Sequence, residues 1–272
     1  MFNLEQTATM LGAIRLSAEE TFASEGLAFI SNGDGTCSVS GIGTCTDTDI
    51  EIPSVYNGDV VKRIDRWAFE GCTNLTSITI PNGLTSIGDD AFYGCTGLTS
   101  ITIPNGLTSI GGHAFCGCSS LKSVTIPAGV TSIGDWTFCG CSSLKSVTIP
   151  AGVTSIGDWT FKGCTGLTNV LIPNGVTSIG NGAFSHCTGL ISVTIPDGVT
   201  EIGDSAFSHC KKLTGVTIPD GVTKIGDSAF YRCANLTSVV IPGSGTSIGN
   251  WVFYYCDKLK DITWKNDISS KF

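Results

Sequence analysis

The chain repeats itself every 23 residues, and a period of that length leaves few architectures open. Leu75, Leu98, Leu121, Leu144, Leu167, Leu190, Leu213, Leu236 and Leu259 mark the step, and Phe69 to Phe253 and Cys72 to Cys256 keep it. One such unit cannot bury its apolar side alone. It becomes stable only when stacked on its neighbours as one coil of a solenoid. Arrays of this kind present long binding surfaces, so the repeat points toward recognition and away from catalysis.

The coil LTSITIPNGLTSIGDDAFYGCTG, which begins at Leu75, shows the logic. Leu75, Ile78 and Ile80 end in period-2 alternation, the mark of a short strand with one face buried. Pro81 ends it for want of an N–H, and Pro81-Asn82-Gly83 has the residue types of a tight turn. Leu84 and Ile87 point inward from a second extended stretch, and Ala91, Phe92 and Cys95 close the coil through a turn or 3₁₀ segment. The glycine after the second Ile (Gly88, Gly111, Gly134) calls for positive φ or close backbone approach. Asp65 takes that place in the first coil, which predicts a left-handed residue there.

The pattern L-x-x-I-x-I-P-x-G-[LV]-T-x-I-G-x-x-A-F-x-x-C runs from Leu75 to Asp257, and more loosely over Ile50 to Cys72 and Leu259 to Trp264. It resembles the BspA-like leucine-rich repeats of the treponemal subclass. The departures are small: Thr137, Thr160 and Val252 stand before Phe in place of Ala, Ser244-Gly245 alters one turn, and Trp264-Lys265 replaces Ile-Pro in the last coil. The expected fold is a β-rich (α/β solenoid class), right-handed leucine-rich repeat solenoid of 23-residue coils with short strands and turn or 3₁₀ segments. The resemblance implies secretion or attachment to the cell surface, and adhesion of a microbial cell to host matrix proteins or to other cells.

One domain of four parts is expected. Residues 1–49 read as a cap, with Leu4, Ala8, Leu11, Ala18 and Phe22 on one helix face and Ser17-Ala18-Glu19-Glu20 as a capping box. Within it, Leu27 to Val39 reads as a hairpin around Asn32-Gly33-Asp34-Gly35. Residues 50–74 form a degenerate first repeat with an inserted loop from Val55 to Asp59, 75–258 eight full repeats, and 259–272 a partial repeat and second cap.

A net charge of −8 with 15 Lys and Arg offers no basic footprint for nucleic acid or anionic lipid. No run of 18 apolar residues exists to span a membrane. Glu5 and the short stretch from Thr7 to Ile14 make a poor secretory signal, against what the resemblance implies. That mismatch keeps an intracellular interaction scaffold in view.

Nine of the 13 cysteines are the repeat residue, read as small buried plugs with free thiols. Cys116 and Cys139 occupy a variable position in adjacent coils and can bridge in an oxidising compartment, and Cys37 and Cys45 can pair in the cap or remain buried thiols. No catalytic residue, cofactor or metal ligand is assigned. Ser119 to Lys122 and Ser142 to Lys145 match S-x-x-K, but they enter a strand without partner motifs. His186 and His209 supply two ligands where structural zinc needs four. Asp47 to Glu51 lacks the glycine and distal Glu of a calcium loop.

Comparison of the coils separates scaffold from decoration. Two pairs of positions change, one after Ile-Gly and one after Phe. Trp136, Trp159, Trp251, Tyr254, Tyr255, Tyr93, Tyr231 and Arg232 all fall there, and such side chains anchor interfaces. The same aromatics can equally shield the Phe ladder from water. The alternative surface is the outward row of the first strand, with Thr79, Thr102, Thr125, Thr148, Lys122 and Lys145. The expected partner is a matrix or cell-surface protein, with a glycan or a second copy of the chain as alternatives. Coils 119–141 and 142–164 differ only at Cys139 and Lys162, the trace of a duplication.

Overall fold

The computed structural model describes residues 23–265 apart from residue 244. The chain enters through an antiparallel hairpin of β1 (Ala28–Ser31) and β2 (Thr36–Gly41), which turns where Asn32 to Gly35 predicts. Gly33 and Gly35 adopt φ of 77° and 81°, so only glycine makes this turn without strain. The helical face expected before it lies outside the described residues.

β3 (Asp49–Glu51) opens the repeat array. β4 (Val55–Tyr56) then pairs antiparallel with β5 (Asp59–Ile64), so the inserted segment is a tight hairpin and not an open loop. Asn57 and Gly58 both have positive φ, as a two-residue turn of primed type requires. Tyr56 stacks on Phe29 with centroids 4.0 Å apart, fastening the insert to the first hairpin.

From there the coils stack in register along three lines of backbone hydrogen bonds. The first strand of each coil forms one line. Ten such strands run from Asp49–Glu51 to Asp261–Trp264, and where they pair they are parallel: Ser77 with Ser100, Ile78 with Ile101, Thr79 with Thr102. The second stretch forms another line of two-residue strands, from Ser86–Ile87 to Ser247–Ile248, continued through Ile133 by isolated bridges. The third line lies on the turn side, where sequence showed no strand. There Asp90, Phe92 and Gly94 donate N–H to the carbonyls of Gly112, Ala114 and Cys116, and each coil through Phe230 repeats the three bonds. The closing segments are turns; no 3₁₀ or α-helix occurs among the described residues.

One continuous core runs from Leu27 to Cys256. Its axis is the Phe ladder, with neighbouring centroids 5.2 to 5.6 Å apart and planes within 16° of parallel. Offset stacking of this kind contributes ~0.5–1.5 kcal/mol per pair beyond burial. The repeat cysteine is more than a plug. Its thiol donates to the Phe carbonyl of the preceding coil, from Cys95 on Phe69 at 3.0 Å to Cys256 on Phe230 at 3.2 Å. Thr137 and Thr160 fit in place of Ala because each hydroxyl donates within its own turn, to Gly134 and Gly157. All 13 cysteines, including Cys37, Cys45, Cys116 and Cys139, are free thiols in this structure.

The glycine after the second Ile is required by close approach, and not by positive φ. A Cβ at Gly134 would stand 2.7 Å from the Gly112 nitrogen, backbone that cannot yield. Asp65 is not left-handed either; its carboxylate accepts from Ser38 and pairs with Arg63. Gly134→Ala is therefore expected to cost roughly 1–3 kcal/mol, as overpacking does. Gly152→Ala, where the nearest atom is 3.8 Å away, should leave the thermal midpoint almost unmoved. Thermal melts of the two variants check this.

Candidate functional site

The edge that varies between coils is built on two left-handed residues per coil. The residue two before Phe has φ between 54° and 61° in all nine coils, from Trp67 to Trp251. The residue two after Phe has φ between 57° and 77°, from Gly71 to Tyr255. The first five coils fill this second position with glycine, the residue that bears it without steric cost. The last four place His186, His209, Arg232 and Tyr255 there.

Half of the first variable pair proves to be scaffold. The Asp or Asn three before Phe turns its side-chain oxygen onto the backbone N–H of its counterpart in the next coil. Asp135 accepts from Asp158 at 2.8 Å, Asp158 from Asn181 at 2.7 Å and Asp204 from Asp227 at 2.8 Å. Ser185 and Ser208 of the second pair are also inward, 2% and 4% exposed, and bond the Nδ1 of His186 and His209.

The remaining positions converge in two clusters. In the first, His113, Trp136 and Trp159 stack at 5.8 and 5.3 Å, and the Lys162 ammonium lies over both indoles, 4.9 and 4.7 Å from their centroids. Trp159 then spreads over Gly182, where any Cβ would overlap its six-membered ring. In the second, His186 stacks on His209 at 4.2 Å, and His209 leads to Tyr231, Tyr254 and Tyr255. Arg232 lies 5.3 and 5.0 Å over Tyr231 and Tyr255. Trp251 (70% exposed) and Tyr93 (43%) join no ring stack among the described residues. Sequence reading set His186 and His209 aside as metal ligands and did not count them or His113 among the anchors. Arg66 over Trp67 at 4.1 Å, another such pair, was also not read.

The strand row is as expected: Thr79, Thr102, Thr125, Thr148, Lys122 and Lys145 are exposed and in line. Leu171 interrupts it, 74% exposed. Farther along, Gly215 lacks a side chain and leaves a shallow depression of about 430 Å³ bounded by Thr194, Thr217, Val240 and Lys265. Among the described residues no three His, Cys, Asp or Glu side chains converge to hold a metal, and no helix is long and apolar enough to cross a membrane.

Burial holds His186 and His209 below the ordinary imidazole value, with Lys162 adding to the effect at His186 and the stacked His186 at His209. A histidine depressed in the folded state contributes stability that is present above its unfolded value of about 6.5 and lost as pH falls through it. The melting temperature should decline between about pH 7.5 and about pH 5, and His186→Asn/His209→Asn should flatten that decline. Gly182→Ser should cost ~1–3 kcal/mol and red-shift indole emission by displacing Trp159. In a Trp159→Ser background the same change should cost little, because Ser205 and Ser228 already hold this conformation in the following coils. Thermal melts and fluorescence of the four proteins form the cycle.

Comparisons place this geometry in a family. The BspA type leucine rich repeat region, in six copies, matches residues 44–168 and 154–271. A leucine-rich repeat protein from Bacteroides ovatus is similar at 31% identity, over 90% of this chain and 71% of its own, with a TM-score of 0.72. The Treponema pallidum leucine rich repeat protein is similar at 29% identity, over 71% of this chain and 90% of its own, with a TM-score of 0.66. No curated protein matches. The match extends through nearly all of the repeat array, and the chain belongs to the BspA-type leucine-rich repeat proteins.

Proposed function

We propose that this repeat protein works without catalysis, by binding another protein through its variable edge, and that the setting is adhesion of a microbial cell to host matrix proteins or to other cells. The observation that carries the reading is the run of His186, His209, Arg232 and Tyr255 at left-handed positions that five earlier coils fill with glycine. A non-glycine residue there costs on the order of 1 kcal/mol in backbone conformation, which the stacks among these side chains offset in part. Strain kept in four successive coils supports a role for these side chains in contacts outside the fold.

The stacks suit that role. Tyr, Trp and Arg are the common anchors of interfaces. Held against one another before a partner arrives, they lose less freedom on binding. Arg232 and Lys162 are cations on an otherwise acidic chain, which favours a partner that offers carboxylates beside apolar groups. A second reading, glycan binding on the strand row, draws on the depression at Gly215.

The test is binding of the purified chain to immobilised fibronectin, fibrinogen and collagen. Trp136→Ser/Trp159→Ser and Arg232→Gly/Tyr255→Gly variants run beside it. The second variant restores glycine where the backbone favours it and should fold at least as well. Saturable binding weakened tenfold or more by either variant is the expected result, the scale of a lost hot spot. Binding that survives both variants but not Lys265→Ala moves the site to the strand row. No binding to any of the three overturns the matrix-adhesion reading.

A further inference from the structure

Cys116 and Cys139 stand apart from the buried cysteine ladder. They follow Phe115 and Phe138, hold the same position in adjacent coils, and are half-buried on the outer edge. The Gly117 N–H donates to the Cys139 carbonyl at 2.7 Å, and the preceding Phe rings are 5.4 Å apart, so the two coils are in close register here. A coil spacing of about 4.8 Å lies within the Cα separation that a disulfide spans.

Their surroundings differ in a directed way. Cys139 lies between Cys116 and Lys162, which hold the same repeat position in the coils before and after it. The neighbouring Cys116 thiol first, and the Lys162 ammonium with it, bring Cys139 down to about 7 against the opposing effect of burial, while pairing with Cys139 and burial raise Cys116. Burial, with a smaller contribution from Cys139, pushes Cys187 of the inner ladder up to about 12. Coils 119–141 and 142–164 differ at one position only: the first carries Cys139, and the second carries the lysine that stabilises its thiolate. Lys162 is in turn held in place by Trp136 and Trp159.

We infer that Cys139 and Cys116 form an exchange-active dithiol on the solenoid edge, with Cys139 as the attacking sulfur, Cys116 as the resolving sulfur, and low-molecular-weight disulfides as the oxidant. The Cys139 thiolate attacks one sulfur of the small disulfide. A mixed disulfide forms, the small S–S bond breaks, and one thiolate leaves and takes up a proton. Cys116 then gives up its proton and attacks the Cys139 sulfur, forming the protein disulfide and expelling the second small thiolate, which is protonated in turn. Two protein thiols are oxidised and one small disulfide is reduced to two thiols. The product ties two coils together beside Trp136, and excess small thiol reverses it.

The test incubates the full chain with glutathione disulfide near neutral pH, quenches with acid, alkylates, and cleaves after lysine. Lys122 lies between the two cysteines, so their bond appears as two peptides joined. The expected outcome is that linked pair with the loss of two hydrogens. Cys116→Ser should instead accumulate glutathione on Cys139. Lys162→Gln, with unchanged melting temperature, should slow the reaction several-fold at neutral pH and move its pH profile upward, which a merely structural lysine would not do. A Cys139 thiol that stays free, adducts that form at Cys45 or Cys72 in its place, or a pH profile indifferent to Lys162 would each overturn the inference.

Discussion

Every coil depends on hydrogen bonds to the next along three lines, and the turn-side line fixes the other two. Where Asp90, Phe92 and Gly94 donate to Gly112, Ala114 and Cys116, the closing segment of one coil lies flat on that of the next. Only then do the Phe rings stack near 5.3 Å, and only then does each repeat thiol reach the Phe carbonyl of the coil before it. The strands on the other two lines are two to four residues long across most of the array and would be marginal by themselves. Close register on the turn side makes them add up. It also explains why glycines such as Gly134, which have ordinary φ, admit no Cβ.

That flat closing segment has a price in backbone conformation: two left-handed residues per coil. The price is also an opportunity, since a left-handed residue on an outer edge turns its side chain away from the core. The chain uses the first such position for Trp67, Trp136, Trp159 and Trp251, and the second for His186, His209, Arg232 and Tyr255. Fixed on a rigid ladder and stacked on one another, these side chains form a surface of set shape. The same geometry that brings Trp136 to Trp159 brings Cys116 to Cys139, so the proposed recognition surface and the proposed dithiol share one construction.

Much of the fold was legible in the period alone. Leu, Ile, Phe and Cys recur because each faces a copy of itself, and a self-facing position shows in the sequence as repetition. The hairpin at Asn32 to Gly35 was legible because its turn demands particular residues. The Val55 to Asp59 hairpin was missed because its Asn57-Gly58 signal sits in an insert that breaks the period. The third hydrogen-bonded line was illegible, since backbone ladders between turns impose no alternation on side chains. At the site, variation between coils located the edge, yet it grouped scaffold with decoration. Asp135 and Asp158 looked exchangeable with Asn, as they are for accepting an N–H, and that equivalence hid their structural duty. Left-handed backbone was expected at Asp65, where Asp stands in for glycine; the structure puts it instead at two positions, one held by Trp, Asp, His, Gly or Ser and the other by Gly, His, Arg or Tyr, patterns that name no single residue type.

The turn-side line has one further property. Its N–H groups all point toward the later coil and its carbonyls toward the earlier one, from Trp67 through Arg232. In the pleated strand rows, peptide dipoles run across the stack alternately and cancel; along this edge they add, as they do along a helix. The backbone of this edge is thus a dipole, with its positive end toward the last coil. Two copies meeting end to end can extend that line only head to tail. Such a contact is heterologous, and unless its rotation closes a ring it generates a filament and not a symmetric pair.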